Sequence, residues 1–461
     1  MQPISVCEII EAVGGELLGE GDLALTVSCV DTDSRKIRPD SLFIPLVGER
    51  FDGHAYINDA LSDGAVVSLT QRERENYLPG KCYIKVASTQ RALMDLAYYY
   101  KKKFSIPMIA VTGSVGKTTT KDMIAAVLSE KYCVLKTEGN WNNHLGVPLT
   151  LLRLMPEHEV AVIELGMNHA GEIDELARLV EPHVAVITNV GDAHIENLGS
   201  REGILLAKSE IFPHLAKDGF GVLNGDDELL TTLRGRIAQD IVWVGGTDGV
   251  DYRALSVESD GERYVHCEVA APGGGCQLRI PALGAHMIYP ALTAMAVGER
   301  LGLSREQVVS GVLRFAPTKM RMNVISRGGI TILDDAYNAN PQSMRAAVDV
   351  LAKTRGARKV AVLGDMFELG QLSADLHAGV GDFLGRSGVD CLVAVGEHAE
   401  HLAKAAEAAG MPEVYWRPTK KEAMTVLEQI MLPDTTFLVK ASRGMQFEEL
   451  TAFLISLLPE K

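Results

Sequence analysis

The sequence contains few cysteines, and none of them is in a paired arrangement. Its seven cysteines are scattered over 461 residues without a C-x-x-C pair, so neither a disulfide framework nor a zinc site is indicated. It also lacks an apolar run long enough to span a membrane, and residues 1–15 have neither the basic start nor the apolar core of a signal peptide. These absences predict a cytoplasmic protein with reduced thiols.

Positive charge is also scarce. The chain has 45 lysines and arginines against 60 aspartates and glutamates, a net charge of −15, which argues against a general nucleic-acid-binding role. A hydrophobic content of 47% is typical of a soluble globular protein. Because a chain of this length exceeds one ordinary core, we expect two or three domains.

The stretch that organises the chain is PMIAVTGSVGKTTT, residues 107–120. An apolar run leads into a glycine loop and then into a helix-forming run, which is the order of a phosphate-binding loop. Lys117 would reach the outer phosphates, and the Thr118 hydroxyl would ligate Mg²⁺. Val111 replaces the first glycine of the full pattern, and a plain glycine-rich turn is the competing interpretation.

Strand-like and helical stretches alternate after this loop. Apolar runs at 160–165, 184–190 and 221–224 are separated by helical stretches, which predicts a parallel sheet with helices on both faces. Ligands bind at the carboxyl ends of such strands, where Glu164 and His194 would share the rim with the loop. From residue type alone, Lys208 is an exposed helix lysine, and the lysines at 101–103 are a solvated helix end.

The two flanking segments also read as α/β domains. Residues 1 to about 85 form a small domain with polar groups on its loops, and the C-terminal part repeats the strand–helix alternation without a G-x-G-x-x-G fingerprint. We therefore predict three α/β domains: a small N-terminal domain, a central P-loop domain with a mostly parallel sheet, and a C-terminal doubly wound domain. Their predicted ranges are 1–85, 86–316 and 317–461.

Several motifs along the whole chain resemble the Mur ligase family. NNHLGVPLT, YNANPQSM and GDMFELG are similar to the branch of that family that adds D-alanyl-D-alanine. The resemblance implies a UDP-binding N-terminal domain, a central ATPase domain and a Rossmann-like C-terminal domain that binds the dipeptide. The motifs are DTDSRKIRPDSLFIPLVGERFDGH, TGSVGKTTTK, GNWNNHLGVPLTLLRL, VIELGMNHAGEI, AKSEIF, DDAYNANPQSM, LGDMFELG and LVKASRGMQFEEL.

The activity that this resemblance implies is ligation driven by ATP. Such an enzyme joins D-alanyl-D-alanine to UDP-N-acetylmuramoyl-tripeptide through an acyl phosphate, in cytoplasmic peptidoglycan precursor synthesis. We expect a monomer without nucleic-acid or membrane partners, and the third peptide residue is open between lysine and meso-diaminopimelate. The alternatives are a diamino-acid-adding Mur ligase, a folylpolyglutamate- or cyanophycin-type synthetase, and a non-catalytic nucleotide-binding scaffold.

The resemblance also implies roles for individual residues. The expected catalytic residues are Lys117, His194 and Lys208, with Lys208 carried as a carbamate. Two Mg²⁺ ions are expected on Thr118, Glu164, His194 and Lys208. ATP is expected to contact Gly113, Ser114, Val115, Gly116, Lys117, Thr118, Thr119, Arg321 and Asp335. The UDP-linked substrate is expected at Ser34, Arg35, Asp52, Gly53, His54, Asn142 and Asn143, and the dipeptide at Tyr337, Asn338, Lys440, Ser442 and Arg443.

Two positions depart from the family pattern. Where the family has G-x-H-N-x-x-N near the adenine, the chain reads GAHMIYP at 284–290, so the base must be held differently, and stacking on Tyr289 is one option. Met320 stands where a glycine is expected. Neither departure touches the phosphate or metal positions.

Overall fold

The computed structural model describes residues 1–48, 51–73 and 76–458. The strands in this part of the chain form three large sheets and one two-stranded ribbon. No helix among the described residues combines the length and the apolar character needed to cross a membrane. The predicted three-domain α/β architecture is confirmed, and the exact domain boundaries stay predictions.

The N-terminal sheet has the order β2-β7-β6-β5-β4, with β4 to β7 parallel and β2 antiparallel. Its first helix begins after Ser5, which forms a reciprocal capping box with Glu8. The elements are β1 (Ile4–Ser5), α1 (Val6–Val13), β2 (Glu16–Leu18), β3 (Thr26–Val27), β4 (Cys29–Asp31), β5 (Ser41–Phe43), α2 (Ile57–Ser62), β6 (Val67–Thr70), β7 (Cys82–Lys85) and α3 (Thr89–Lys101).

The central sheet has the order β16-β15-β14-β13-β12-β11-β8-β10-β9, and its last three strands in sequence, β14 to β16, pair antiparallel at one edge. Because β8 lies between β10 and β11, the polar segments that follow these three strands meet at one edge. The elements are β8 (Met108–Thr112), α4 (Lys117–Leu128), β9 (Val134–Lys136), α5 (Gly146–Leu151), β10 (Val160–Glu164), α6 (Glu172–Val180), β11 (Val184–Ile187), α7 (Ile195–Leu198), α8 (Arg201–Ser209), β12 (Phe220–Asn224), α9 (Glu228–Thr231), β13 (Asp240–Gly245), β14 (Tyr252–Ser259), β15 (Val265–Ala270), β16 (Cys276–Ile280), α10 (Ile288–Arg300) and α11 (Arg305–Leu313).

The C-terminal sheet has the order β17-β18-β22-β19-β20-β21, parallel except for the edge strand β17. Helices lie on both of its faces and cover two separate apolar cores. The elements are β17 (Asn323–Arg327), β18 (Ile330–Asp334), α12 (Pro341–Lys353), β19 (Arg358–Gly364), α13 (Ser373–Gly385), β20 (Cys391–Val395), α14 (Ala399–Ala408), β21 (Glu413–Arg417), α15 (Lys420–Ile430), β22 (Thr435–Lys440) and α16 (Glu448–Ser456).

The N-terminal and central domains share one continuous apolar core. It runs from Ile4 and Val6 through the helix α3 to Ile163 and Ile204 under the central sheet. Tyr100 joins the two parts by polar contacts as well, since its hydroxyl accepts from the backbone N–H of Gln2 and donates to the carbonyl of Leu154, both at 2.7 Å.

The prediction that the lysines at 101–103 are a solvated helix end is wrong. The Lys101 side chain is only 7% exposed, and its ammonium lies 2.5 Å from the carboxylate of Glu181 at the end of α6. Lys102 contacts the same carboxylate at 2.6 Å, and Lys103 pairs with Glu8 at 2.5 Å. The cluster is a set of ion pairs that joins α3 to α1 and α6.

Candidate active site

The glycine loop after β8 has the backbone geometry of a phosphate-binding loop. Gly113 and Gly116 have φ angles of +146° and +83°, which side chains with a Cβ rarely allow. A Cβ on Gly113 would also lie 1.9 Å from the Thr188 hydroxyl. Helix α4 begins at Lys117, so its first N–H groups, which lack partners within the helix, point at the loop.

The end of β11 braces this loop. The Asn189 side chain accepts from the Val115 N–H and donates to the Val115 carbonyl, both at 2.9 Å. Thr188 donates to the same carbonyl at 2.6 Å, and the Ser114 hydroxyl accepts from the Gly191 N–H at 2.9 Å. The loop is therefore held in shape before any phosphate arrives.

Lys117 and Glu164 face each other across this edge. The Lys117 ammonium donates to the Gly113 carbonyl at 2.7 Å. Burial lowers the pKa of Lys117, against the attraction of Glu164. Glu164, 1% exposed at the end of β10, accepts from the Asn142 amide at 2.8 Å through Oε1. Its Oε2 is buried and has no hydrogen-bond partner among the described residues, which is costly unless a ligand completes it.

The oxygen donors at this point suit Mg²⁺. The Thr118 hydroxyl accepts from the Arg321 guanidinium at 3.3 Å and lines the same cleft as the orphaned Glu164 oxygen. The described residues contain no cluster of three or more His, Cys, Asp or Glu side chains that could cage a metal by themselves. Mg²⁺ in nucleotide sites commonly keeps water and phosphate ligands and needs only one or two protein oxygens, so these residues fit the ion.

Lys208, on α8, is not the exposed lysine that its residue type suggests. Its side chain is 1% exposed, and its ammonium makes no hydrogen bond or ion pair with any described residue. Burial lowers the pKa of Lys208 well below that of a free lysine, and the nearby charge of Lys117 lowers it further. The fold thus disfavours the charged form of the Lys208 amine.

His194 lies just before α7, where its backbone has a φ of +65°. Its Nδ1 is 2.6 Å from the Glu368 carboxylate of the C-terminal domain. This contact has ion-pair distance but not the alignment of a hydrogen bond. The two domains therefore meet at this histidine.

The segment that leads into the C-terminal domain completes the opposite wall. The Arg321 guanidinium lies 4.0 Å from the centre of the Tyr337 ring. Lys440 donates to Asp335 at 2.6 Å and to the Asn338 carbonyl at 2.8 Å. These contacts hold together residues for which the sequence predicts two different ligands, ATP and the dipeptide.

Ser442 and Arg443 follow β22 in the same domain. The Ser442 hydroxyl accepts from the Phe367 N–H at 2.8 Å. The Arg443 guanidinium is half-exposed, pairs with Glu448 at 2.8 Å and lies 5.9 Å from the Tyr337 ring. Arg443 is thus tethered at the mouth of the cleft, where it can still meet an anion.

The cleft between the central and C-terminal domains has a volume of about 580 Å³. It brings together most of the predicted ATP, metal and dipeptide residues, together with Asn142 and Asn143. The predicted residues that line it are Ser114, Val115, Gly116, Lys117, Thr118, Thr119, Asn142, Asn143, Glu164, His194, Arg321, Asp335, Tyr337, Asn338, Lys440 and Arg443.

The predicted UDP-binding loops lie apart from this cleft, in the N-terminal domain. Arg35 is exposed and paired with Asp33 at 2.8 Å, next to Ser34. In the other loop, Asp52 contacts His54 Nδ1 at 2.7 Å, and His54 Nε2 accepts from the backbone N–H of residue 71 at 3.1 Å. Gly53 packs so closely that a Cβ would lie 2.8 Å from the Leu46 carbonyl.

Tyr289 is the residue on which the sequence predicts that adenine can stack. Tyr289 lines the cleft, and its hydroxyl donates to Asp226 at 3.1 Å. Asp226 is also bonded to the backbone N–H groups of Gly246 and Thr247. The ring of Tyr289 is therefore fixed in place and presents a rigid aromatic surface.

Sequence reasoning missed three residues of the site: Thr188, Asn189 and Glu368. The first two end the apolar run VAVITNV, where the change to polar residues at a strand end is a usable signal. Glu368 lies inside GDMFELG, a motif noticed as a whole without a role for its carboxylate.

Three family models match the chain. They are "Mur ligase family, catalytic domain" over residues 26–104, "Mur ligase middle domain" over 111–298 and "Mur ligase, glutamate ligase domain" over 320–443.

Individual relatives match over nearly the full length. The UDP-N-acetylmuramoyl-tripeptide–D-alanyl-D-alanine ligase of Bacillus subtilis (strain 168) is 38% identical, over 98% of this chain and 98% of its own. The crystal structure of MurF from Acinetobacter baumannii is similar with a TM-score of 0.90 and 34% identity over 99% of both chains. The crystal structure of MurF from Thermotoga maritima in complex with ADP is similar with a TM-score of 0.83 and 27% identity, over 93% of this chain and 97% of that one.

Proposed function

The chain belongs to the Mur ligase family, and we propose that it joins D-alanyl-D-alanine to UDP-N-acetylmuramoyl-tripeptide at the expense of ATP. The observation that carries this proposal is the single cleft with a phosphate loop on one wall and Tyr337, Lys440 and Arg443 on the other. The full-length identity to the Bacillus subtilis ligase supports the choice of substrates. This reaction belongs to cytoplasmic peptidoglycan precursor synthesis.

The chemistry requires activation of a carboxylate. An oxygen of the terminal carboxylate of the tripeptide attacks the γ-phosphorus of ATP, the bond to the β-phosphate oxygen breaks, and ADP leaves. The amine of the dipeptide then attacks the acyl carbon, phosphate leaves with the bonding electrons, and the amine loses a proton. Lys117 and the first N–H groups of α4 stabilise the negative charge that builds up on the transferred group.

Two Mg²⁺ ions are part of this proposal. Thr118 and Glu164 would hold one ion, and His194 together with Lys208 would serve the second. Bound Mg²⁺ supplies charge neutralisation on the phosphates. The buried oxygen of Glu164 that has no hydrogen-bond partner in the described part of the chain supports the first assignment.

We propose that Lys208 can carry a carbamate, as the resemblance to the family implies. Capture of CO₂ needs a neutral amine, and burial, which lowers the pKa of Lys208, favours that form. The product is an anion near Lys117, so the two groups would attract each other. Lys208→Ala should abolish ligation, and added bicarbonate should not restore it. Near-normal activity of the variant in a phosphate-release assay would show that the assignment is wrong.

The remaining substrate contacts are proposals as well. The UDP-linked substrate would bind at Ser34, Arg35 and the 52–54 loop of the N-terminal domain and extend to Asn142 and Asn143. The carboxylate of the dipeptide would meet Arg443, since a guanidinium suits a carboxylate. All of these groups belong to one chain, so we propose that the monomer is active.

A phosphate-release assay with two substrate pairs tests the proposed function. We expect turnover with UDP-N-acetylmuramoyl-tripeptide plus D-alanyl-D-alanine and none with the UDP-linked dipeptide plus a diamino acid. Turnover only with the second pair would assign the chain to the diamino-acid-adding branch. ATP binding without turnover of either pair would favour a non-catalytic scaffold.

A further inference from the structure

Glu368 is a carboxylate that the proposed chemistry does not yet use. It lies in the loop that follows β19, where its backbone takes a left-handed φ of +62°. The loop is held on its N-terminal side, since the N–H of Phe367 donates to Ser442 and the N–H of Met366 donates to His377 Nε2 at 2.9 Å. The position of Glu368 is therefore fixed by its own domain.

The partner of Glu368 across the domain boundary, His194, also has left-handed backbone, with a φ of +65°. For a residue other than glycine such a conformation is unfavourable, and it persists where surrounding structure enforces it, often at functional sites. Two such residues therefore meet in one contact. The neighbouring turns touch as well, because a Cβ on Gly370 would lie 3.1 Å from Cγ of Glu196.

The contact selects one nitrogen of the imidazole. Glu368 Oε2 lies 2.6 Å from His194 Nδ1. The pair has the distance of a hydrogen bond without its alignment, and a carboxylate this close can only accept a proton. A neutral imidazole with its proton on Nδ1 keeps the lone pair of Nε2 free. His194 lines the cleft, and the charge of Glu368 also acts on Lys117, so the pair borders the phosphate site.

We propose that Glu368 is a positioning residue for His194, fixing its ring orientation and its Nδ1–H tautomer from the C-terminal domain. Carboxylates behind metal-binding histidines act in this way and typically matter 10- to 100-fold. Because the two residues belong to different domains, His194 is set for the reaction only when the C-terminal domain lies on the central one. The inference rests on the proposed function for its link to catalysis, but the tautomer itself is independent of the substrates.

The test compares Glu368→Ala and Glu368→Gln with Glu196→Gln as a matched control at the same domain contact. Long-range nitrogen–proton NMR of the His194 ring, assigned with a His194→Gln variant, reports the tautomer. We expect the wild type, Glu368→Gln and Glu196→Gln to show the Nδ1–H form, since an amide oxygen also accepts. Glu368→Ala should show a mixture, with kcat lowered about 10- to 100-fold and KM values within about twofold.

Several outcomes would overturn the proposal. An unchanged His194 spectrum in Glu368→Ala would remove its basis. An increased KM for the dipeptide alone would instead make Glu368 a binder of the substrate amine. If the alanine variant does not fold, Glu368→Gly replaces it, because glycine suits the left-handed backbone. A tautomer shift in an enzyme that never turns over the proposed substrates would leave the positioning intact and refute the proposed function.

Discussion

Lys121 and Lys208 are two lysines buried in the central domain with opposite surroundings. The Lys121 ammonium donates to the Thr137 carbonyl at 2.7 Å and lies 3.2 Å from Asp122. Lys208 is equally buried but has no such partner among the described residues. Because the two lysines are of the same type and equally buried, a comparison of their variants shows how much the partners of Lys121 contribute to stability.

Replacement of each lysine by methionine should separate structure from function. Lys121→Met should lower the free energy of unfolding by about 2–3 kcal/mol, because Asp122 and a carbonyl lose a buried partner. Lys208→Met should leave it unchanged or higher in CO₂-depleted buffer at neutral pH. Urea unfolding monitored by circular dichroism measures both. A loss of stability in Lys208→Met as large as that in Lys121→Met would contradict the finding that the Lys208 amine has no partner among the described residues.

The same pair predicts a pH dependence. Because the pKa of Lys208 is lowered in the fold by burial and then by Lys117, the unfolded chain binds more protons than the folded chain between the two pKa values. Wild-type stability therefore rises with pH in that window, below the unfolded pKa of about 10.4. The stability advantage of Lys208→Met should shrink towards about pH 10.

Gly113 lies where strand β8 ends and the phosphate loop begins, and it packs against the residues that follow β11. Gly113→Ala should cost about 3 kcal/mol through backbone strain and the clash with Thr188, and should weaken ADP binding measured by calorimetry. A Thr188→Ala change in the same chain should recover part of the loss. Gly235→Ala is the control, because Gly235 also has a positive φ, of +70°, but open space around it. Equal losses at both glycines would refute the clash.

At the scale of elements, Glu181 joins α6 to α3. Burial acts to raise the pKa of this carboxyl, but hydrogen bonds from Lys101 and Lys102 hold it at about 2. The pKa of Lys101 is itself lowered, because burial outweighs the attraction of Glu181. Removing the carboxylate would therefore leave a buried ammonium with no counter-charge.

Glu181→Gln should lower stability at neutral pH by about 1–2 kcal/mol, a modest value because the carboxylate is partly exposed and screened. A carboxyl with a depressed pKa stabilises the fold above its unfolded pKa of about 4.3 and loses that effect as pH falls towards the folded value. The difference in unfolding free energy between variant and wild type should therefore disappear between about pH 4 and pH 2. If acid unfolding curves show that this difference stays constant, the effect of Glu181→Gln comes from the shape of the side chain and not from its charge.

The sequence could predict the buried parallel strands but not the edges of the sheets. Runs such as VAVIEL are continuous and apolar, which identifies strands covered on both faces. The edge strands β17 and β21 are short and partly exposed, so they lack the continuous apolar run that identifies a buried strand. The antiparallel strands β14 to β16 lack it too, because exposed and buried residues are mixed along them.

The candidate site divides in the same way. The sequence predicts the residues of the phosphate loop because they are neighbours in the chain, so their spacing determines their relative positions. It does not predict the roles of Asn189 and Glu368, because each contacts a residue that is far away in the sequence and that only the tertiary fold brings near. Met320 lies between these cases: its φ of +61° explains why a glycine is expected there, and this chain accepts the strain.

At the scale of the whole molecule, the distribution of cores divides the chain into two units rather than three. The N-terminal and central domains share one large core, and the N-terminal domain has only a small further cluster around Phe43 and Tyr83. The C-terminal domain has two cores, to which the preceding domain contributes only Leu283. Calorimetry should resolve two unfolding transitions. An isolated 317–461 fragment should fold cooperatively, and an isolated 1–85 fragment should not, as judged by amide dispersion in NMR. A well-dispersed spectrum for 1–85 would contradict the shared core.

The second core of the central domain contains both Ile109, in the strand before the phosphate loop, and Phe315, more than two hundred residues later. On the ribosome, helix α4 after the loop therefore emerges long before α10 and α11, the helices that pack on it. At about 5–20 residues per second, its apolar surface waits for roughly 10 to 40 s. A slower ribosome would lengthen that exposure, so the yield of active enzyme should depend on translation speed and on chaperones that shield nascent strands.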